Sequence, residues 1–289
     1  MYKKIIAGTD LSPTSRIAIA HAAALAKSLG SDLIVVHAGD DPGAPLQELG
    51  EKYGAEVVVK SGSPAEVLLS EAEERGAELL VTGSVGMSGA ARFKLGNVPN
   101  KLSHHADRDM LIVKTDAPGK TEDFDGYKKI LVGTDGSPTA MRAVQMASRL
   151  AKELGASLSI VTAYEPPTEH ELEQARKAGG DISSVWSQSK TQRETPSEFQ
   201  WRIAGASQAE DVLERATDCA VEMGVSNADV RTVEGPPAET LLSIAEDEDF
   251  DLVSVGSVGM AGAKRFMLGN VPHRLSHHTP TDILILHTT

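Results

Sequence analysis

The chain has 289 residues, 40% hydrophobic and 24% charged, enough apolar material for about two packed domains and too much for a disordered chain. Its formal net charge of −13 repels phosphate backbones and anionic lipid heads, which removes nucleic acid and membrane as default partners. A lone cysteine, Cys219, allows no intrachain disulfide and reads as a space-filling helix residue, while the amino terminus lacks a secretory stretch and no apolar run reaches the roughly 18 residues that span a bilayer, so a cytoplasmic protein is expected.

Strand and helix signals alternate from the start. A short apolar run over Lys4–Gly8 predicts a strand that ends in Thr9-Asp10. Ser15–Leu29 has helical spacing, with Ile17, Ala20, Ala24 and Leu25 on one face, and Gly30 stops it. Strands follow over Leu33–His37 and Ala55–Val59. The segment between them, about Gly39 to Gly54, is short and leaves room only for a stunted helix. Ser63-Pro64 opens a helix over Ala65–Arg75, stopped by Gly76; strands over Glu78–Thr82 and Met110–Val113 complete the set, with a helix pattern over Val98–His105 between them.

The pattern then repeats. Residues 2–38 align without gaps on 127–163, a shift of 125, with 20 of 37 positions identical; residues 83–105 align on 256–278, a shift of 173, with 18 of 23 identical. The second copy therefore carries 173 − 125 = 48 additional residues in its middle. Its strands are predicted over Lys129–Gly133, Leu158–Thr162, Asp229–Val233, Leu252–Val255 and Ile283–Leu286. Near-continuous Val/Ile/Leu strands separated by helices imply a parallel sheet covered on both faces, the doubly wound α/β class. The expected domains are residues 1–116 and 127–289, joined by a Pro/Gly/acid-rich linker over 117–126. A polar insertion spans about 165–205, with Trp186 and Trp201 isolated and residues 169–177 in a helical pattern. Each copy's last strand is a sheet edge that needs cover, so the two copies are expected to pair within the chain through those strands; a homodimer is compatible with this.

The strongest chemical signal follows the fourth strand. It reads Gly83-Ser84-Val85-Gly86, nine residues, then Gly96-Asn97-Val98-Pro99; the second copy reads Gly256-Ser257-Val258-Gly259, nine residues, then Gly269-Asn270-Val271-Pro272. Glycine tolerates positive φ and lets backbone approach a ligand closely. Asn97 is a good N-cap type, and the helix start behind it offers unpaired N–H groups to an anion. Duplication at identical spacing, where open parallel sheets bind ligands, makes this a phosphate site rather than a bare turn. Asp10 and Asp135, within Gly-Thr-Asp-x-Ser-Pro-Thr, end the first strand at the same sheet edge, to accept from a ribose or base edge, to cap the next turn, or both. Arg92 and Arg265, matched inside the nine-residue loops, are candidates for a phosphate contact. Lys94 is replaced by Met267, which argues against a required lysine there.

Other chemistries find little support. His104-His105 and His277-His278 are adjacent on a helix and point in different directions, so no metal site is expected. Ser84 and Ser257 lack the Gly-x-Ser-x-Gly elbow, and the Walker pattern is missing.

These residues resemble the universal stress protein family in its tandem form: the Gly-Thr-Asp-x-Ser segment, Ser63-Pro64-Ala65-Glu66 before a helix, and Gly-x-x-Gly with nine residues before the next glycine. The resemblance implies five-stranded parallel sheets of order 3-2-1-4-5 and ATP binding. Carried over, adenine and ribose would meet Thr9, Asp10 and the main chain at Ala38, and phosphates Gly83, Val85, Gly86, Gly96, Asn97 and Val98. In the second copy the positions are Thr134, Asp135, Ala163, Gly256, Val258, Gly259, Gly269, Asn270 and Val271. Mg²⁺ would accompany the phosphates. Asn97 and Asn270 stand where the family usually has Ser or Thr. The expected role is a nucleotide-dependent stress-response or regulatory module acting on an unidentified protein partner, with at most weak ATP hydrolysis. A slow ATP hydrolase or phosphotransferase and a scaffold with vestigial pockets stay open as alternatives.

Overall fold

The computed structural model describes residues 1–86, 95–165, 198–259 and 268–287, with side chains described from residue 208 in the third stretch. Each copy opens with the same device. In the first, β1 (Lys4–Thr9) runs into α1 (Pro13–Leu29). Ser12 is the N-cap, its hydroxyl accepting from Ser15 N at 3.2 Å; Pro13 fits the first turn, where no N–H is needed; Gly30, at φ +65°, closes the end. In the second, β6 (Lys129–Gly133) leads into α5 (Pro138–Leu154), with Ser137 as N-cap on Ala140 N at 3.3 Å and Gly155 at φ +66°.

The first copy continues with β2 (Asp32–Ala38), α2 (Ala44–Tyr53), β3 (Glu56–Lys60), α3 (Pro64–Arg75), β4 (Leu79–Gly83), α4 (Asn97–His105) and β5 (Asp109–Val113). The second continues with β7 (Ser157–Tyr164), α6 (Glu198–Glu222), β8 (Asp229–Glu234), α7 (Pro237–Asp247), β9 (Leu252–Gly256), α8 (Asn270–His278) and β10 (Asp282–Leu286). All ten strands form one sheet of order β3-β2-β1-β4-β5-β10-β9-β6-β7-β8, parallel within each half and antiparallel only where β5 meets β10. Each half thus has the 3-2-1-4-5 order, and the halves join through their last strands.

Strand periodicity sends alternate residues to two cores. Ile5 and Ala7 face α1 and α5 together with Ile19, Leu25, Ile130 and Val144; Ile6 faces the other layer with Leu68, Leu102, Leu131 and Leu275. All five residues of β5 and all five of β10 are buried, so either strand alone would be an exposed apolar edge, and their pairing removes both edges.

The seam is sealed by two buried carboxylates, one from the start of each last strand. Asp109 accepts from Tyr2 OH at 2.8 Å, from both Arg142 nitrogens at 2.5 and 2.9 Å, and from His287 N at 3.0 Å. Asp282 is met by Tyr127 OH at 2.9 Å, His21 Nδ1 at 2.9 Å, Lys120 Nζ at 2.9 Å and Lys114 N at 2.8 Å. Burial works against the Asp282 charge, but the His21 hydrogen bond and the Lys120 and His21 charges hold its carboxyl below the usual range. In both sockets the ionisable partner supplied by the other half lies on its first helix. Lys114, buried at the same seam, is pushed down to about 8 by burial.

The halves differ in the element before their third strand. α2 is ten residues long, whereas α6 has 25. Residues of the expected linker lie where α2 falls short: Glu122 accepts from Lys52 Nζ at 2.5 Å and from Tyr53 OH at 3.1 Å, and Phe124 stacks on His21 with centroids 3.6 Å apart. The expected polar insertion over 165–205 overlaps α6, whose helical backbone begins at residue 198. The helix expected over 169–177 and Trp186 lie outside the described residues.

Candidate functional site

β1 and β4 are neighbours at the centre of the first half, and both end at one edge. The turn after β1 is built from its own side chains. Thr9 Oγ1 accepts from Leu11 N at 3.0 Å and pairs with Ser15 Oγ at 3.0 Å; Asp10 Oδ1 accepts from Ser12 N at 3.0 Å and Ser12 Oγ at 2.5 Å. In the second half Thr134 Oγ1 accepts from Gly136 N at 3.2 Å and Asp135 Oδ1 from Ser137 N at 2.9 Å. Such Asx turns fix the carboxylate, so the capping role of Asp10 and Asp135 is present. The turn also needs a left-handed third residue: Gly136 stands at φ +78°, and Leu11, its counterpart, adopts φ +61°.

The first glycine corner lies against that carboxylate. A Cβ added to Gly86 would sit 2.8 Å from Asp10 Oδ2, and one on Gly259 2.6 Å from Asp135 Oδ2. The second corner is tied to the first: Gly96 N donates to Ser84 O at 2.8 Å, and Gly269 N to Ser257 O at 2.8 Å. A Cβ on Gly96 would meet Ser84 O at 3.3 Å, and one on Gly269 would meet Ser257 O at 3.2 Å. At the end of β9, Gly256 is packed on the first turn of α5, with Ala140 N 2.7 Å from its Cβ position. The expectation that these glycines serve positive φ is corrected: Gly96 and Gly269 both have φ −64°, and Gly83, Gly86, Gly256 and Gly259 are not among the left-handed residues. Close packing is what excludes a side chain.

Two further readings change. Gly96 and Gly269, extended at ψ 166° and 164°, are themselves the N-caps, so Asn97 and Asn270 occupy the first helical position instead of capping. The Gly96 and Gly269 N–H groups are spent on closing the corners, leaving Asn97, Val98, Asn270 and Val271 at the heads of α4 and α8, where amides have no preceding helical carbonyl. Asn100 N and His273 N make the first intrahelical bonds, to Gly96 O and Gly269 O at 3.0 Å each. Among the described residues no side chain caps either end.

Ala38, half-buried, ends β2 one residue beyond the Thr9–His37 pair, and His37 Nδ1 lies 3.0 Å from Thr9 O. Ala163 holds the same place on β7, also half-buried. Ser84, buried, accepts from Thr115 N at 3.2 Å and donates to Asp116 at 2.8 Å, anchoring the corner to the chain beyond β5. The structure thus brings Thr9, Asp10, Ala38, Gly83, Val85, Gly86, Gly96, Asn97 and Val98 to one sheet edge, and the matching set in the second half. Arg92 and Arg265 lie outside the described residues. The histidines gather elsewhere: His104 of α4 lies with its ring centroid 6.1 Å from that of His273 on α8, which is 4.5 Å from His277. Among the described residues no group of three His, Cys, Asp or Glu side chains is placed to hold a metal ion.

Two arginines at the site edge were not singled out by sequence. Arg16 Nε donates to Leu11 O at 3.4 Å, and Arg215 of α6 reaches over Gly136, with Nη2 2.7 Å from its Cβ position. Comparison of the copies hides both, because Arg16 aligns with Met141 and Arg215 follows the insertion that the first copy lacks.

The profile of the Universal stress protein family matches residues 1–56, 46–114 and 126–287. A universal stress protein of Mycobacterium tuberculosis (strain CDC 1551 / Oshkosh), MT1672, is 33% identical over 163 residues, 56% of this chain and 98% of that protein. YxiE of Bacillus subtilis (strain 168) is 33% identical over 162 residues, 55% of this chain and 99% of that protein. Among solved structures, a universal stress protein from Archaeoglobus fulgidus DSM 4304 shares the fold along 99% of this chain and 98% of its own, at 18% identity and a TM-score of 0.62. A universal stress protein solved with cAMP is 28% identical, covering 56% of this chain and 98% of its own, with a TM-score of 0.38.

Proposed function

The chain belongs to the universal stress protein family, and from that premise we propose that it binds ATP at two sites, one per half, as a nucleotide-dependent regulatory module. The observation that carries this reading is the tied pair of glycine corners against a fixed aspartate, built twice with the same hydrogen bonds. Two side-chain-free backbone segments with a helix start behind them suit a chain of phosphate oxygens: the amides of Asn97 and Val98, or Asn270 and Val271, face outward from positive helix ends. Gly83, Gly86 and Gly96, like Gly256, Gly259 and Gly269, act by letting the corners close tightly, and Val85 and Val258 would offer their main chain to the phosphates. Thr9, Asp10 and Ala38, with Thr134, Asp135 and Ala163, form the rim for ribose and base. Mg²⁺, which binds through phosphates plus one or two carboxylates, would meet Asp10 or Asp135. The two units are taken as residues 1–116 and 127–289.

The serine hydroxyls hydrogen-bonded to carboxylates here, Ser84 to Asp116 and Ser12 to Asp10, also accept from Thr115 N and Ser15 N and so tie the turns together, which favours binding over turnover. Among the described residues no helix is long and apolar enough to cross a membrane. With a net charge of −13, the partner that reads the nucleotide state is expected to be a protein, not nucleic acid.

Mass spectrometry of small molecules released on denaturing freshly purified protein, joined to titration calorimetry with ATP, ADP and cAMP, tests this. Released adenine nucleotide and saturable ATP binding are expected. Folded protein that releases none and gives no heat with ATP would overturn it.

A further inference from the structure

Each candidate site has a guanidinium at the turn after its first strand, and the two arrive by different routes. In the first half it comes from α1: Arg16, half-buried, donates from Nε to the carbonyl of Leu11, 3.4 Å away. In the second half the residue aligned with Arg16 is Met141, whose sulfur lies 3.9 Å from Thr134 Oγ1, and no cation is available from α5 at that point. There Arg215 crosses from α6 and covers Gly136, the residue aligned with Leu11. Its Nε is oriented toward Asp211 O at 3.4 Å, which turns the Nη side toward the turn. Val212 packs beside it, 2.8 Å from the Gly136 Cβ position, filling with α6 the space that the Leu11 side chain fills in the first half.

The second half has methionine at the position aligned with Arg16, yet a guanidinium, that of the exposed Arg215, still stands at the same turn. What both halves share at this spot is the neighbouring carboxylate. Asp10 and Asp135 stand one residue before Leu11 and Gly136 and touch the first glycine corner. A polyphosphate entering beside a fixed carboxylate, on a chain of net charge −13, meets repulsion that a guanidinium held against the next residue of the turn offsets. Glu122 also senses Arg16, but its hydrogen bonds run to Lys52 and Tyr53.

We propose that Arg16 in the first site and Arg215 in the second are positioning residues that set the preference of each pocket for an anionic over a neutral ligand. This rests on the reading of the pockets as nucleotide sites. The test is site-resolved titration of the full chain with ATP and with adenosine, for wild type, R16M, R215Q and the double variant, at low and high salt. Each single substitution should weaken ATP at one site by about tenfold, leave adenosine within about twofold, and flatten the salt dependence of that site. R16K and R215K should restore most of the ATP affinity, because the charge is what acts. Equal losses for ATP and adenosine would show a packing role and overturn the proposal, as would unchanged ATP affinity in the double variant. Wild-type protein that binds no nucleotide would instead sink the reading of the pockets, and this inference with it.

Discussion

At the scale of single residues, the site is defined by atoms that cannot be added. Gly86 and Gly259 stand against Asp10 and Asp135, so Gly86→Val and Gly259→Val would push a branched side chain into a carboxylate held by its own turn. The double variant should keep the wild-type far-UV spectrum and lose at least about tenfold in ATP affinity by calorimetry; undiminished affinity would refute the placement. Gly96→Val with Gly269→Val should act differently, prying apart corners that the Gly96–Ser84 and Gly269–Ser257 bonds close. These glycines were legible in the sequence because duplication marked them, but their reason was not. Sequence suggested left-handed backbone, whereas crowding by parts of the chain far away in sequence decides. His277 gives a pH prediction. Burial, then the charges of His273 and Lys114, push its imidazole down to about 4. The unfolded chain takes up that proton near its ordinary value of about 6.5. Stability conferred by the neutral ring is therefore full above 6.5 and is lost as pH falls from 6.5 to 4. Urea midpoints at pH 7 and pH 4.5 should fall further for wild type than for His277→Gln; equal drops would contradict this.

At the scale of elements, caps and strand periods were readable locally. Gly30 was read as the stop of the first helix, whose start was placed at Ser15 although the Ser12 cap opens it at Pro13, and the apolar runs of β1, β4, β6 and β9 gave the centre of each half. The ion pairs at the seam were not readable, because a carboxylate in an apolar strand has no local sign of the cation that will meet it. Asp109 is 1% exposed and held bidentately by Arg142 from the other half. Arg142→Met should leave that carboxylate buried with only the Tyr2 and His287 N hydrogen bonds and no guanidinium, and cost about 3 kcal/mol in denaturant melts. Lys128→Met, which removes the exposed pair with Asp125, should leave stability unchanged. Comparable losses from the two would show that burial does not set the strength of these pairs. The shortness of α2 was legible from chain length. Its complement was not: Glu122 and Phe124, in a segment whose composition reads as a tether, pack against the first half through Lys52, Tyr53 and His21.

At the scale of the whole molecule, one sheet of ten strands and apolar cores shared across the seam join the two repeats into one packed body. Thermal unfolding should show a single transition, with fluorescence and circular dichroism coincident and the calorimetric enthalpy equal to the van't Hoff value. Two resolved steps would mean that the seam is weaker than the halves. Because β5 and β10 run in opposite directions, the strands of the two halves end on opposite rims of the sheet. The two mouths consequently open away from each other. On the proposed reading of the pockets, a partner gripping one rim would leave the other exposed, and any conversation between the two occupancies would have to pass through the join in the middle.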